Sequence, residues 1–152
     1  SVQRIEDVFE LSEKLLQATD ALTGHAADLG GLPAAHYVNM AGRNRMLSQR
    51  IGKFFLFREW PSLDEKIAVL TPPSCHEFES NLQTLRKTAN IPPEVAAQLR
   101  VVASQWQKFI QTLCPDLSHA ARTQHARLVM AEGERLLRGV DTTVKLFERL
   151  TK

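Results

Sequence analysis

The chain has 152 residues, 43% hydrophobic and 24% charged, with a formal net charge of +2. That is the length and composition of one ordinary globular domain able to bury a sizeable core, and so even a charge balance leaves no basic surplus for nucleic acid. No run of about 18 apolar residues is present to span a bilayer and no secretory leader pattern is seen. The sequence opens at Ser1 and closes at Lys152 inside helical patterns, which reads as an excised segment or mature product with any targeting or membrane element outside it.

Helical periodicity runs through the chain, and no convincing stretch alternates with period two. Residues 3 to about 28 predict a first amphipathic helix with Ile5, Val8, Phe9, Leu15, Leu16 and Leu22 on one side, stopped by Gly30-Gly31. Pro33 suits the first turn of a second helix, predicted over about 33–60 and ended by Pro61. Ser62-Leu-Asp-Glu65 and Ser74-Cys-His-Glu77 both fit the S-x-x-E capping box. They predict a short helix at about 63–70 and a longer one at about 75–89, parted by Pro72-Pro73. Pro92-Pro93 turns the chain into a helix at about 94–113 carrying Leu99, Val102, Trp106, Phe109 and Leu113, and Pro115 ends it. The last helix, about 117–150, carries Leu128, Leu136, Leu137, Val140, Val144 and Leu150. The fold class predicted is all-α, an antiparallel bundle of long helices. Glu13-Lys-Leu-Leu-Gln-Ala-Thr-Asp20 also echoes Glu134-Arg-Leu-Leu-Arg-Gly-Val-Asp141. Either two amphipathic helices happen to look alike, or residues 1–30 close a preceding, related repeat.

The most informative stretch is Asn39-Met-Ala-Gly-Arg-Asn-Arg-Met-Leu-Ser-Gln-Arg50, which puts three arginines and a glycine into one helix. At about 100° per residue, Met40, Leu47, Ile51, Phe54 and Phe55 share an apolar stripe. Val38, Gly42, Arg45, Gln49 and Gly52 lie opposite. Glycine costs about 1 kcal/mol against alanine inside a helix, and its missing Cβ lets another backbone come close. A face that combines glycines with a planar guanidinium is built for contact with a partner, not for solvent. For Arg43 and Arg50, on its flanks, salt bridges to other helices serve equally well. Met40 and Met46 read as core and interface filler, and Trp60 and Trp106 as packing at core and helix end.

The Ala41–Arg50 run resembles the motif of the PilJ-type domain, the N-terminal sensor of type IV pili methyl-accepting chemotaxis transducers. More distantly the chain is similar to the periplasmic sensor of nitrate/nitrite-responsive histidine kinases. It departs from the family motif in having Asn44 where Gln is usual; the Trp106 helix and the Glu134-Arg-Leu-Leu helix sit where the family has similar elements. The resemblance covers about residues 33–150. It implies an up-down-up-down four-helix sensor domain over 31–152, with residues 1–30 as an additional N-terminal helix. It further implies a homodimer, whose interface would be the face of Val38, Gly42, Arg45, Gln49 and Gly52, a periplasmic location as the ectodomain of a membrane receptor, and an output module outside this chain. The ligand implied is nitrate or nitrite on the dimer axis. Arg45 would be the main anion ligand, Gly42 would bring backbone close, Arg50 would stand behind or face a phosphate, and Asn39 and Gln49 complete the set. The alternative is a structural dimerisation bundle without a small-molecule ligand.

Enzymatic chemistry finds little support. Glu-x-x-His pairs for a di-iron bundle and Cys-x-x-Cys-His for haem do not occur, and His25, His36, His76, His119 and His125 show no i, i+4 pairing, so no metal or cofactor is expected. Cys75 and Cys114 fall near one end of the hairpin folded by Pro92-Pro93. The register leaves them up to about 9 Å apart along the axis, against the roughly 7 Å between Cα atoms that a disulfide allows. Their loop-end positions would close that gap, so a Cys75–Cys114 disulfide is a candidate in an oxidising compartment, the alternative being two separate buried thiols.

Overall fold

The computed structural model describes the backbone of residues 2–30, 33–113 and 119–152, and their side chains apart from 22–30, 33, 119, 120, 122 and 123. Among the described residues the chain is all-α, with five helices: α1 (Val2–Gly30), α2 (Pro33–Phe57), α3 (Pro61–Arg86), α4 (Pro93–Thr112) and α5 (His119–Arg149). Pro33, Pro61 and Pro93 each open a helix, where a fixed φ is already helical and the absent N–H would have had no partner. Asn90, at φ 58, makes the turn between α3 and α4; asparagine is among the residues that tolerate this left-handed region best.

Helix α2 packs on α3 and α5, and α4 packs on α5 and more lightly on α3, so four helices close a ring. Helix α1 lies outside it, along α2 and against a shorter stretch of α3. The ring encloses one core, including Leu47 and Ile51 of α2, Phe78 and Leu85 of α3, Trp106 and Phe109 of α4, and Leu136, Val140 and Phe147 of α5. Trp106 stacks on Phe78 with ring centroids 4.0 Å apart and donates its indole N–H to Glu79 Oε1 at 3.0 Å. The largest buried side chain thus keeps its donor satisfied. A smaller cluster of Phe9, Phe54, Leu63 and Ile67 pins α1 to α2 and α3.

Three expectations need correction. First, the helices expected at 63–70 and 75–89 are one helix, with Pro72 and Pro73 inside it. Leu63, Ile67, Ser74, Phe78, Leu82 and Leu85 bury one unbroken face across the prolines. The prolines themselves are exposed, and so are Ala68 and Val69, whose carbonyls the missing N–H groups would have met; water can take those bonds. Second, neither capping box operates. Trp60 holds the N-cap of α3 without a side-chain cap, and Ser74 is buried in mid-helix with its hydroxyl donating to the Leu70 carbonyl at 2.8 Å. Cys75 therefore does not sit at a helix start, and Cys114 lies outside the described residues. Third, the apolar side expected of α1 splits in two. Phe9 is fully buried and Ile5 packs beside it, while Val8, Leu11 and Leu15 face outward. Leu22 falls outside the described side chains, as does Gly31 outside the described backbone.

Candidate functional site

Helix α2 faces carboxylates on three neighbours, Glu13 and Asp20 of α1, Glu77 of α3 and Asp141 of α5, and its arginines divide among them. On the α1 side, Arg50 donates to Glu13 Oε2 from Nε at 2.9 Å, and Lys53 Nζ reaches Glu13 Oε1 at 2.6 Å. Arg50 also lies over the Phe54 ring, 5.2 Å from its centroid. Glu13 and Arg50 are 9% and 15% exposed. Burial pushes the Glu13 carboxyl up, and hydrogen bonds from Arg50 and Lys53 outweigh it, holding the carboxyl below its ordinary value. Arg43 is held at two ends, by Glu77 of α3 at 2.6 Å from Nε and by Asp20 of α1. The Glu77 bond is the largest influence that raises its already high pKa. These two arginines tie helices together.

Arg45 differs. Its Nε meets Asp141 Oδ1 of α5 at 3.1 Å, and its side chain remains 48% exposed. Asp141 also accepts from Lys145 at 2.9 Å, the main reason its carboxyl lies below the usual range. Arg45 borders a groove of about 440 Å³ between α1, α2 and α5. Leu15, Leu16 and Thr19 form one wall, Gly42, Arg45, Met46 and Gln49 the floor, and Asp141, Val144 and Glu148 the other wall. A Cβ added at Gly42 would meet nothing within 4 Å, so the backbone here is open to an incoming group. The groove continues past Gln49 into a shallower depression of about 260 Å³ bordered by Gly52, Leu56, Met130 and Gly133. Leu15, Leu56 and Met130 are exposed along this one face.

The residues singled out in the sequence are thereby sorted. Gly42, Arg45 and Gln49 share the groove. Asn39 does not join them; with His36, Arg43, Glu77 and Asn81 it lines a polar cavity of about 320 Å³ between α1, α2 and α3. Arg50 is in the clasp with Glu13. Val38 is half-buried against the core. Gly52 looks partly inward: a Cβ there would stand 3.9 Å from the Phe109 ring of α4, the same ring that a Cβ at Gly133 would approach to 3.3 Å. The two glycines let α2 and α5 close over Phe109. Asn44 is buried, donating to the Phe78 carbonyl at 3.1 Å and accepting from Asn81 at 3.0 Å. Motif reading alone missed Asp141 and Asp20. The echo between Glu13–Asp20 and Glu134–Asp141 carried the signal, since its two closing aspartates hold Arg43 from α1 and Arg45 from α5. Among the described residues no group of three or more His, Cys, Asp or Glu could hold a metal ion, and no helix is long and apolar enough to cross a membrane.

A family model described as the type IV pili methyl-accepting chemotaxis transducer N-terminal domain, PilJ, matches residues 31–136, more than half of the chain. The chain belongs to the PilJ family. No curated protein and no solved structure matches it. The match begins just ahead of α2 and runs into α5. It therefore takes in the whole arginine-rich PilJ helix and its neighbours α3 and α4, and leaves α1 outside. Membership assigns the chain to the sensing and signalling part of a chemotaxis transducer.

Proposed function

We propose that this PilJ domain is an extracytoplasmic sensor of a small oxyanion, nitrate or nitrite, bound between the α2 helices of two copies of the chain. The observation that carries the reading is the open backbone at Gly42 beside the half-exposed guanidinium of Arg45. Nitrate is a planar monoanion with three equivalent acceptors. A guanidinium presents its N–H donors as a planar fork, so the two meet edge to edge, and a lysine would offer only a point charge. With Arg45 supplied from each copy at a twofold axis, both edges of one anion are satisfied. Without it, two guanidiniums about 5 Å apart would repel by roughly 3 kcal/mol at an effective dielectric of about 20. The anion thus favours one dimer geometry over another, as a switch requires, and a helix shift of about 1–2 Å would pass the signal to an output module outside this chain.

An up-down-up-down ring suits such a relay. Its support is that early residues meet late ones along α5: Tyr37 near the start of α2 with Phe147 near the end of α5, and Gln98 early in α4 with Gly139 in the later part of α5. A second reading, a dimerisation bundle without a small ligand, is favoured by the exposed Leu15, Leu56 and Met130 beside the groove. Isothermal titration with sodium nitrate separates the two. The sensor reading expects saturable heat from the wild-type chain and none from Arg45→Ala; no heat from a dimeric wild type would leave the ligand-free bundle.

A further inference from the structure

The groove that receives the anion is short of positive charge. Arg43 and Arg45 stand against Asp20, Asp141 and Glu148, and Arg43 is already spent on Asp20 and Glu77. That leaves Arg45, and its Nε is taken by Asp141 at 3.1 Å. We infer that Asp141 is the internal competitor for the anion: it neutralises Arg45 in the empty groove, and an incoming anion must displace it. The inference rests on the anion reading of the same groove and adds the residue that sets its affinity and its charge selectivity.

The geometry gives Asp141 an alternative. Its second oxygen is held by Lys145, one turn further along α5, at 2.9 Å, so a carboxylate released by Arg45 keeps a cation of its own. Arg45, with five N–H donors, can turn its fork to a ligand above Gly42, where a Cβ would meet nothing within 4 Å. Arg43 has no such freedom, being gripped from two helices. The echo of α1 in α5 therefore yields two unlike pairs, Asp20 with Arg43 in a fixed tie and Asp141 with Arg45 in an exchangeable one. The surviving carboxylates also disfavour multiply charged ligands. A dianion such as sulfate feels Asp20, Asp141 and Glu148 about twice as strongly as a monoanion does. Selectivity for a small monoanion then comes from repulsion as well as attraction.

Calorimetric titration of sodium nitrate and sodium sulfate into four chains tests this: wild type, Asp141→Asn, Glu148→Gln, and the double variant Arg45→Ala/Asp141→Asn. Asp141→Asn keeps the shape and removes the competitor. It should bind nitrate about three- to tenfold more tightly, the range expected from losing an exposed ion pair and a nearby like charge. Its nitrate-over-sulfate preference should fall. Glu148→Gln removes an equal charge from the same groove without touching Arg45 and should gain less than about twofold. The double variant should bind nothing, because the gain acts through Arg45. Wild-type binding with Asp141→Asn equal or weaker, or Glu148→Gln gaining as much, overturns the inference and leaves the anion site standing. No nitrate binding by either wild type or Asp141→Asn overturns both.

Discussion

The two flanks of α2 use the same chemistry to opposite ends. Towards α1, Glu13 is clasped by Arg50 and Lys53 in a nearly closed setting over the Phe9 and Phe54 rings. Towards α5, Asp141 meets Arg45 where both side chains are well exposed. Removing one partner from a desolvated ion pair strands the other charge and costs several kcal/mol, whereas an exposed pair contributes about 0–1 kcal/mol. The first flank is therefore held by its charges, and the second only decorated by them. An exposed pair that contributes little to folding is one that a ligand can break cheaply. Three motif arginines that look equivalent in sequence thus divide by their own burial, 15% exposed for Arg50 and 27% for Arg43 against 48% for Arg45.

The largest effect that should sharpen this contrast is Glu13→Ala. It leaves Arg50 and Lys53 without their acceptor beside an apolar cluster, and should cost about 2–3 kcal/mol of stability. In a thermal melt that is a loss of several degrees for a chain of this size. A next, smaller effect contrasts two glycines on one helix. Gly52→Leu drives a side chain towards Phe109 and should destabilise by about 1–3 kcal/mol through overpacking. Gly42→Leu meets open space and should leave the melting temperature unchanged or slightly raised. Its loss appears elsewhere, as weakened dimerisation and absent nitrate binding. A Gly42→Leu chain that still dimerises and binds nitrate would place that face in solvent.

Acid should part the flanks too. Glu13 has a folded pKa below its ordinary value of 4.5, so its contribution is complete above about that pH and is lost as the pH falls through the lowered value. Stability should therefore drop as the pH falls below about 4.5 in wild type, and less steeply in Glu13→Gln, measured as melting temperature against pH. Smallest of all is Arg45→Ala, which should shift the melt by no more than about 0.5 kcal/mol equivalent. Nitrate should stabilise wild type by about 2.7 kcal/mol at a hundredfold excess over its dissociation constant and leave Arg45→Ala unmoved.

Helix positions are legible where proline breaks fall between apolar runs, as at Pro33, Pro61 and Pro92-Pro93, although Pro61 and Pro93 prove to be the first residues of their helices. At Pro72-Pro73 local propensity points to a break, but the buried stripe from Leu63 to Leu85 keeps the helix whole. The groove residues Gly42, Arg45 and Gln49 could be read from one helical face. Asn39 and Arg50 could not be separated from them, since their surroundings are set by Asp20, Glu77 and Glu13 on other helices. Asp141 lies 96 residues beyond Arg45, and no periodicity within α2 points to it. The double stripe of α1 was hidden because one set of apolar residues faces α2 and the other faces outward.

The central claim is that a small anion at Arg45 draws two chains together along α2, and sedimentation velocity with and without sodium nitrate, at constant ionic strength set with chloride, tests it most directly. Wild type should shift towards dimer as nitrate is added, and Arg45→Ala should sediment identically in both conditions while remaining folded. A wild-type distribution that ignores nitrate, or an Arg45→Ala chain that responds to it as wild type does, would contradict the account.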